Sequence, residues 1–129
     1  MKASRIWAAA ICVLSIGAIS EVGAETSERN EVAKAYLIAE ISVTNPDAYA
    51  RYIAQAPSIL AACGGRYIVR AGNSAVREGP PLQGRLVMVE FPSFATAQAC
   101  LDGPEYKVIE HLRTDNAASR IIVVEGLNP

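Results

Sequence analysis

The order in which hydrophobic periodicities change along the chain constrains its fold more than any other feature. From Ala35 to Val43, Leu37 and every second residue after it are apolar, which is the period of a strand with two different faces. The spacing then becomes helical from Asn45 to about Cys63. The same criteria predict strands over residues 66–71, 85–91 and 120–125, and a second helical region over residues 94–101 and 105–113.

The resulting order, strand–helix–strand–strand–helix–strand, is that of the ferredoxin-like α+β fold. Right-handed crossovers place both helices on one face of a four-stranded antiparallel sheet. The opposite face is then bare, although the strands are rich in Ile, Leu, Met and Val. A second copy of the same sheet would cover this face, so the pattern predicts a homodimer with two-fold symmetry.

Proline, glycine and asparagine mark the ends of these elements. Asn45 suits the N-cap of the first helix and Pro46 its first position, while Gly64 favours termination. Pro57 lies inside this helix and is expected to kink or split it. The buried stripe of the helix is predicted to contain Tyr49, Tyr52, Ile53, Ala56, Leu60 and Cys63. Similar signals predict a loop over residues 72–84, a helix break at residues 102–104 and a turn over residues 115–119.

The N-terminal segment has the three-part pattern of a secretory signal peptide. Lys2 and Arg5 form a positive start, residues 6–19 form an uncharged and mostly apolar run, and residues 22–24 are compact, as signal peptidase requires. An uncleaved anchor is the alternative interpretation. The apolar run is shorter than the roughly 20 residues that a membrane span needs, which favours cleavage.

This pattern divides the chain into three parts. Residues 1–24 are the signal peptide, cleaved near Ala24, residues 25–34 are a polar and flexible lead-in, and residues 35–127 are one domain. We therefore expect the mature protein to be periplasmic or secreted, with no membrane association after cleavage.

Charge and cysteine content exclude several classes of function. The first 24 residues hold two of the 12 basic and one of the 13 acidic residues, so the remainder is slightly acidic and no nucleic-acid partner is expected. The remainder keeps Cys63 and Cys100, which would form a disulfide or stay as two buried thiols. No metal site is expected, because His111 is the only histidine and no ligand spacing is present.

Seven short segments occur in a recognisable order. They are AYLI at 35–38, NPDAYARY at 45–52, GGRYIVRAG at 64–72, EG at 78–79, VEFPSF at 89–94, GPEY at 103–106 and VEG at 124–126. In this order and spacing they resemble the domain of unknown function 1330 family. The resemblance implies a ferredoxin-like domain that forms a dimeric α+β barrel, with a pocket between helices and sheet or inside the barrel. It implies no reaction, since that family is uncharacterised.

The chain departs from the family pattern at two points. It has an export signal, whereas many members appear cytoplasmic. It also has Gly103 where members often have Ser, which weakens one helix cap.

Three charged residues lie near the ends of otherwise apolar strands: Glu40, Arg70 and Glu90. If strand alternation places them on one sheet face, two carboxylates and a guanidinium meet inside the barrel. A buried charge is costly unless it is paired, so the first interpretation is a structural ion pair that sets register or dimer geometry. The second is an anion-binding or acid–base site, with Arg70 holding a carboxylate and Glu40 or Glu90 as base.

Three further residues complete the candidate pocket: Tyr49, Tyr67 and His111. The tyrosines suit core positions with a bonded hydroxyl, or a ligand-orienting role. His111 suits a solvated position on a helix, or a role as base. No cofactor is expected. Three hypotheses for function remain. The protein could bind and transform a small organic acid or aromatic compound in a pocket, or bind such a compound without catalysis. It could also be a structural dimer module without a pocket.

Overall fold

A computed structural model describes Gly17 and residues 31–128 of the chain. Its elements alternate as the sequence predicts, with the second helical region divided in two. In chain order they are β1 (Ala35–Val43), α1 (Pro46–Ala62), β2 (Arg66–Arg70), β3 (Arg85–Phe91), α2 (Phe94–Asp102), α3 (Pro104–Thr114) and β4 (Ala117–Glu125).

The strands form one antiparallel sheet in the order β2-β3-β1-β4. This is the strand order of a ferredoxin-like α+β domain, so the predicted fold class is confirmed. The central strand β1 pairs with β3 on one side and with β4 on the other. The core lies between the sheet and the helices, where Phe91 and Val89 are each only 1% exposed.

Local signals explain most helix boundaries. The Asn45 side chain accepts a hydrogen bond from the amide of Ala48, and Pro46 opens α1. Ser93 caps α2 through the amide of Thr96. The break after α2 is present as predicted, and Gly103 begins α3 without a side-chain cap.

Three predicted details are wrong. Of the two effects expected of Pro57, the split does not occur, since α1 is continuous from Pro46 to Ala62. The strand β4 starts at Ala117, inside the predicted turn, because Ala117 and the residues after it pair with the end of β1. Ile53 is 37% exposed and does not belong to the buried stripe of α1.

A disulfide joins Cys63, the C-cap of α1, to Cys100 in α2. Their Cα atoms are 5.8 Å apart, within the range that a disulfide spans. Of the two arrangements that the sequence left open, the structure shows the bonded one. The bond ties the helix layer together across 37 residues of chain.

The predicted signal peptide over residues 1–24, and residues 25–30 of the predicted lead-in, lie outside the residues that the structure describes, apart from Gly17. No helix in the described ranges is both long and apolar enough to cross a bilayer.

Candidate functional site

The two faces of the sheet differ in burial. The face under the helices, called the covered face here, carries Leu37, Ala39 and Ile41 of β1, all buried. The opposite face, called the open face, carries the alternate residues of the strands, which are partly or fully exposed. On β1 and β3 these are Tyr36, Ile38, Glu40, Ser42, Leu86, Met88 and Glu90.

An irregularity in β2 decides on which face Arg70 lies. Arg66 pairs with Glu90 and Tyr67 with Val89, but the register shifts after Tyr67. Beyond the shift, Arg70 pairs with Val87, a residue of the covered face. One extra residue in a strand moves every later side chain to the other face.

Arg70 is therefore on the opposite face from Glu40 and Glu90, so the condition for the predicted cluster is not met. Glu40 and Glu90 share the open face, but Glu90 pairs with Tyr36, four residues before Glu40, which is about 13 Å along the strand. The predicted cluster of two carboxylates and a guanidinium does not form within this subunit.

Arg70 instead lies at the mouth of a cavity between α1 and the covered face. Its guanidinium carbon is 4.9 Å from the centre of the Tyr67 ring, in cation–π contact. The cavity has a volume of about 40 Å³ and is called the tyrosine cavity here. Its polar lining side chains are Tyr49, Tyr52, Tyr67, Arg70, Arg85 and Tyr106; the rest of the lining is aliphatic.

Arg85 is the second cation of the tyrosine cavity. It is the first residue of β3 and pairs with Ile41 of β1. Gly84 makes this position possible, since its φ is +80° and any Cβ there would overlap the carbonyl of Ile41. The loop can thus return close to β1 and start β3 with Arg85 directed under the helices.

Neither Arg70 nor Arg85 has an acidic partner among the described residues. No carboxylate oxygen of that part of the chain lies within 4.0 Å of either guanidinium, and the Nε atom of Arg85 is buried without a hydrogen-bond partner. No acidic side chain contributes to the described lining of the cavity. The site therefore has two positive charges and at least one unsatisfied donor, which favours an anion.

A hydrogen-bonded pair of tyrosines lies deeper in the same cavity. The hydroxyl oxygens of Tyr52 in α1 and Tyr106 in α3 are 3.0 Å apart, and both residues are buried. Arg113 packs beside them, with its guanidinium carbon 6.0 Å from the centre of the Tyr52 ring. Arg113 is only 6% exposed and also donates a hydrogen bond to the Ser119 hydroxyl.

Burial favours the neutral form of three phenols that line the cavity, those of Tyr49, Tyr52 and Tyr67. It raises the pKa of Tyr52, and the neighbouring Tyr106 raises it further. Burial also raises the pKa of Tyr49 and of Tyr67, while Arg85 and Arg70 respectively oppose the change. Burial by itself lowers the pKa of Arg113, but the phenols of Tyr106 and Tyr52 raise it overall. The polar groups of the cavity are thus phenols and guanidinium groups.

The open face holds the other predicted charges. Glu90 accepts hydrogen bonds from Arg66 at 3.0 Å and from Lys34 at 3.2 Å. These two donors hold the pKa of Glu90 below its usual value. Glu40 is partly buried opposite Arg120 of β4, and no ion pair within 4.0 Å joins it to a described residue. The arrangement at Glu90 matches the ion-pair interpretation of these charged residues.

The remaining predicted residues divide between the cavity and the surface. Tyr49 and Tyr67 line the cavity, whereas His111 lies exposed on α3 and does not contribute to it. Three polar residues of the cavity were not among the predicted pocket residues: Tyr52, Arg85 and Tyr106. Arg85 gave a usable signal, since it is a charged residue at the start of a strand that continues with four apolar residues.

No group of three or more metal-binding side chains occurs within the described ranges. Together the fold and the cavity define a small ferredoxin-like α+β domain with a donor-rich cavity beneath its helices. The sequence profile of the family called domain of unknown function (DUF1330) matches residues 34–127. The chain belongs to this family, as the sequence resemblance indicated.

Solved structures share the fold at low sequence identity. One is the RPA0582 protein of unknown function from Rhodopseudomonas palustris, with a TM-score of 0.58 and 20% identity, covering 75% of this chain and 85% of that one. Another is SnoaB from Streptomyces nogalater, a cofactor-independent oxygenase, with a TM-score of 0.51 and 11% identity, covering 76% and 97%. No curated protein is significantly similar in sequence. At these identities the likeness concerns the fold alone.

Proposed function

We propose that the protein binds a small organic anion in the tyrosine cavity. The observation that carries this proposal is the pair of guanidinium groups of Arg70 and Arg85, which face the cavity without a carboxylate partner in the described part of the chain. The Nε atom of Arg85 is buried without a hydrogen-bond partner, which costs free energy that a hydrogen-bonded anion would recover. The arginines offer planar donors that fit a carboxylate.

The volume of the cavity limits the size of the ligand. A void of about 40 Å³ holds a few water molecules, since one water needs about 10–15 Å³. It is smaller than the roughly 150 Å³ cavity that accepts benzene. A short-chain acid fits best, with its carboxylate at the mouth between the arginines and its carbon chain inside. The aromatic compounds considered from sequence, and a group as large as haem, do not fit without movement of α1.

The lining contains no side chain suited to act as a base at neutral pH, because its described polar groups are phenols and guanidinium groups. The primary proposal is therefore binding. SnoaB, which shares the fold, is a cofactor-independent oxygenase, so catalysis on a bound acid is a further step that turnover assays with molecular oxygen would test. The competing hypothesis is a structural module, supported by how nearly side chains fill the covered face.

We also propose that two subunits associate through the open face. Ile122 and Val124 of β4 are 43% and 44% exposed there, next to Ile38 and Tyr36 of β1. A contiguous apolar sheet face of this kind favours an isologous contact with a second copy.

The dimer is tested by sedimentation velocity on the mature chain. Ile122→Asp is expected to shift the protein to a monomer, because it introduces a charge into the contact. Val108→Asp is the matched control, since Val108 is 69% exposed on α3, away from the open face. A wild-type protein that sediments as a monomer at all concentrations would refute the dimer.

Export is the third part of the proposal. The disulfide between Cys63 and Cys100 supports it, since such bonds persist in oxidising compartments and are rare in the cytosol. The test is the mass of the protein recovered from the periplasm or medium. The expected mass is that of a chain starting at Glu25; recovery of full-length chain from the membrane would support the anchor instead.

The ligand proposal is tested by thermal shift and calorimetry with acetate, propionate, pyruvate and lactate. Arg85→Gln and Arg70→Gln are expected to abolish or strongly weaken binding. Arg51→Gln is the matched control, because Arg51 is exposed on α1 and does not line the cavity. If no acid binds the wild type, or if all three variants bind equally well, the structural-module hypothesis is preferred.

A further inference from the structure

The hydrogen-bonding character of the tyrosine cavity selects among small acids. Its described polar side chains are four tyrosines and two arginines, and none is an amide, imidazole or carboxylate. Guanidinium groups donate only, and a neutral phenol has one donor besides its acceptor oxygen. Donors thus outnumber strong acceptors in the cavity wall.

The pair of Tyr52 and Tyr106 makes this imbalance specific. One of the two hydroxyl protons forms the bond between them, whose oxygens are 3.0 Å apart. The second proton needs another acceptor. Arg113, which packs against Tyr52, cannot accept a hydrogen bond, because a guanidinium has no acceptor site. Its charge also repels a proton directed toward it, so the free O–H is favoured to point into the cavity.

Resting on the proposed function, we infer that the ligand is a short oxo acid, whose carboxylate lies at Arg70 and Arg85 and whose carbonyl oxygen accepts the free hydroxyl proton of the pair of Tyr52 and Tyr106. An oxo group only accepts hydrogen bonds, so it complements a wall that mainly donates. A hydroxy acid brings another donor into the same place. A simple fatty acid leaves the hydroxyl proton without a partner, which is penalised in a buried site.

Three acids of similar size test this inference: pyruvate, lactate and propionate, titrated into the mature protein by calorimetry. Pyruvate is expected to bind about five to ten times more tightly than propionate, the effect of one net hydrogen bond, with lactate between them. Tyr106→Phe is expected to remove most of the preference for pyruvate, while binding of propionate stays within twofold. Tyr36→Phe, on the open face, is the matched control and should keep the preference.

Tyr52→Phe provides a second variant if Tyr106→Phe does not fold, because either hydroxyl can be the one that donates. Equal affinity for pyruvate and propionate in the wild type would overturn the oxo-acid inference and leave the anion site standing. Equal affinity for lactate and pyruvate would also overturn it. Absence of binding of all three acids to the wild type would instead refute the anion site itself.

Discussion

The covered and open faces of the sheet are built by the same strands but differ in burial and in how their charged residues are paired. On β3, Val89 and Phe91 are each 1% exposed under the helices, while Glu90 between them reaches the opposite side and pairs with Arg66 and Lys34. The glutamate has its counter-charges within the subunit, whereas the arginines of the covered face have none among the described residues.

The difference separates a charge that is paired within the subunit from a charge that has no acidic partner among the described residues. The carboxylate of Glu90 accepts hydrogen bonds from two cationic side chains, so its charge is paired. Arg85 begins the same strand, with its Nε atom buried and without a partner. Strand periodicity therefore does not show whether a charged strand residue has a partner, because this depends on contacts between strands.

The largest expected effect comes from removing the core of the covered face. Phe91→Ala should lower the free energy of unfolding by about 3–5 kcal/mol, because it leaves a large cavity under the helices. Urea denaturation measures this change. Met88→Ala, on the open face of the same strand, should cost less, and its cost should depend on protein concentration if the open face is a dimer contact. Equal and concentration-independent costs would contradict the distinction between the faces.

The disulfide is the second largest contribution, and it belongs to the helix layer of the covered face. Replacing both cysteines, Cys63→Ser with Cys100→Ser, should lower the free energy of unfolding by about 2–4 kcal/mol, because the bond restricts the unfolded chain. Melting temperature measured with and without dithiothreitol checks the cause. The wild type should lose stability on reduction and the double variant should not; a wild type that is insensitive to full reduction would contradict it.

Alkaline pH should lower the free energy of unfolding through Tyr52, which is buried. Tyr52 has a raised pKa, so above pH 10 the unfolded chain releases this proton while the folded protein keeps it. Stability from this residue is complete below pH 10 and is lost as pH rises, by up to about 1.4 kcal/mol per pH unit. Denaturation between pH 8 and 12 measures the slope. Tyr52→Phe should reduce the slope, whereas an unchanged slope would exclude Tyr52 as its source.

The open-face ion pairs should have the smallest effect. The lowered pKa of Glu90 means that its contribution is present above its usual pKa of 4.5 and is lost as pH falls further. Glu90→Gln should change the melting temperature at pH 7 only slightly, since exposed ion pairs contribute little. Glu78→Gln, in the exposed loop, is the control. A large loss at pH 7 would show that Glu90 is buried in the assembled protein.

Much of the fold was predictable because it depends on periodicity and local signals. Alternation along β1 indicated both faces correctly, and Asn45 with Pro46 placed the start of α1. The prediction missed the early start of β4, since Ala117 becomes part of a strand only through its pairing with Val43. Pro57 did not end α1, because the tertiary context of a helix can override a local helix breaker.

The candidate site was less predictable, and the reason is a single irregularity. Strict alternation from Arg66, which pairs with Glu90, would place Arg70 on the open face, but the register shift after Tyr67 moves Arg70 beneath the helices. No residue type in β2 predicts this register shift. Tyr106 and Tyr52 are 54 positions apart, so their hydroxyl contact also depends on how α1 and α3 pack.

By itself, the sequence determined the family, the order of strands and helices, and which face of β1 is apolar, because these depend on residue type and short-range spacing. The tertiary structure decided which charges have partners and which remain directed into the tyrosine cavity. Charge pairing depends on distances of a few ångströms between strands that are distant in sequence, and one extra residue in β2 is enough to exchange one partner set for another.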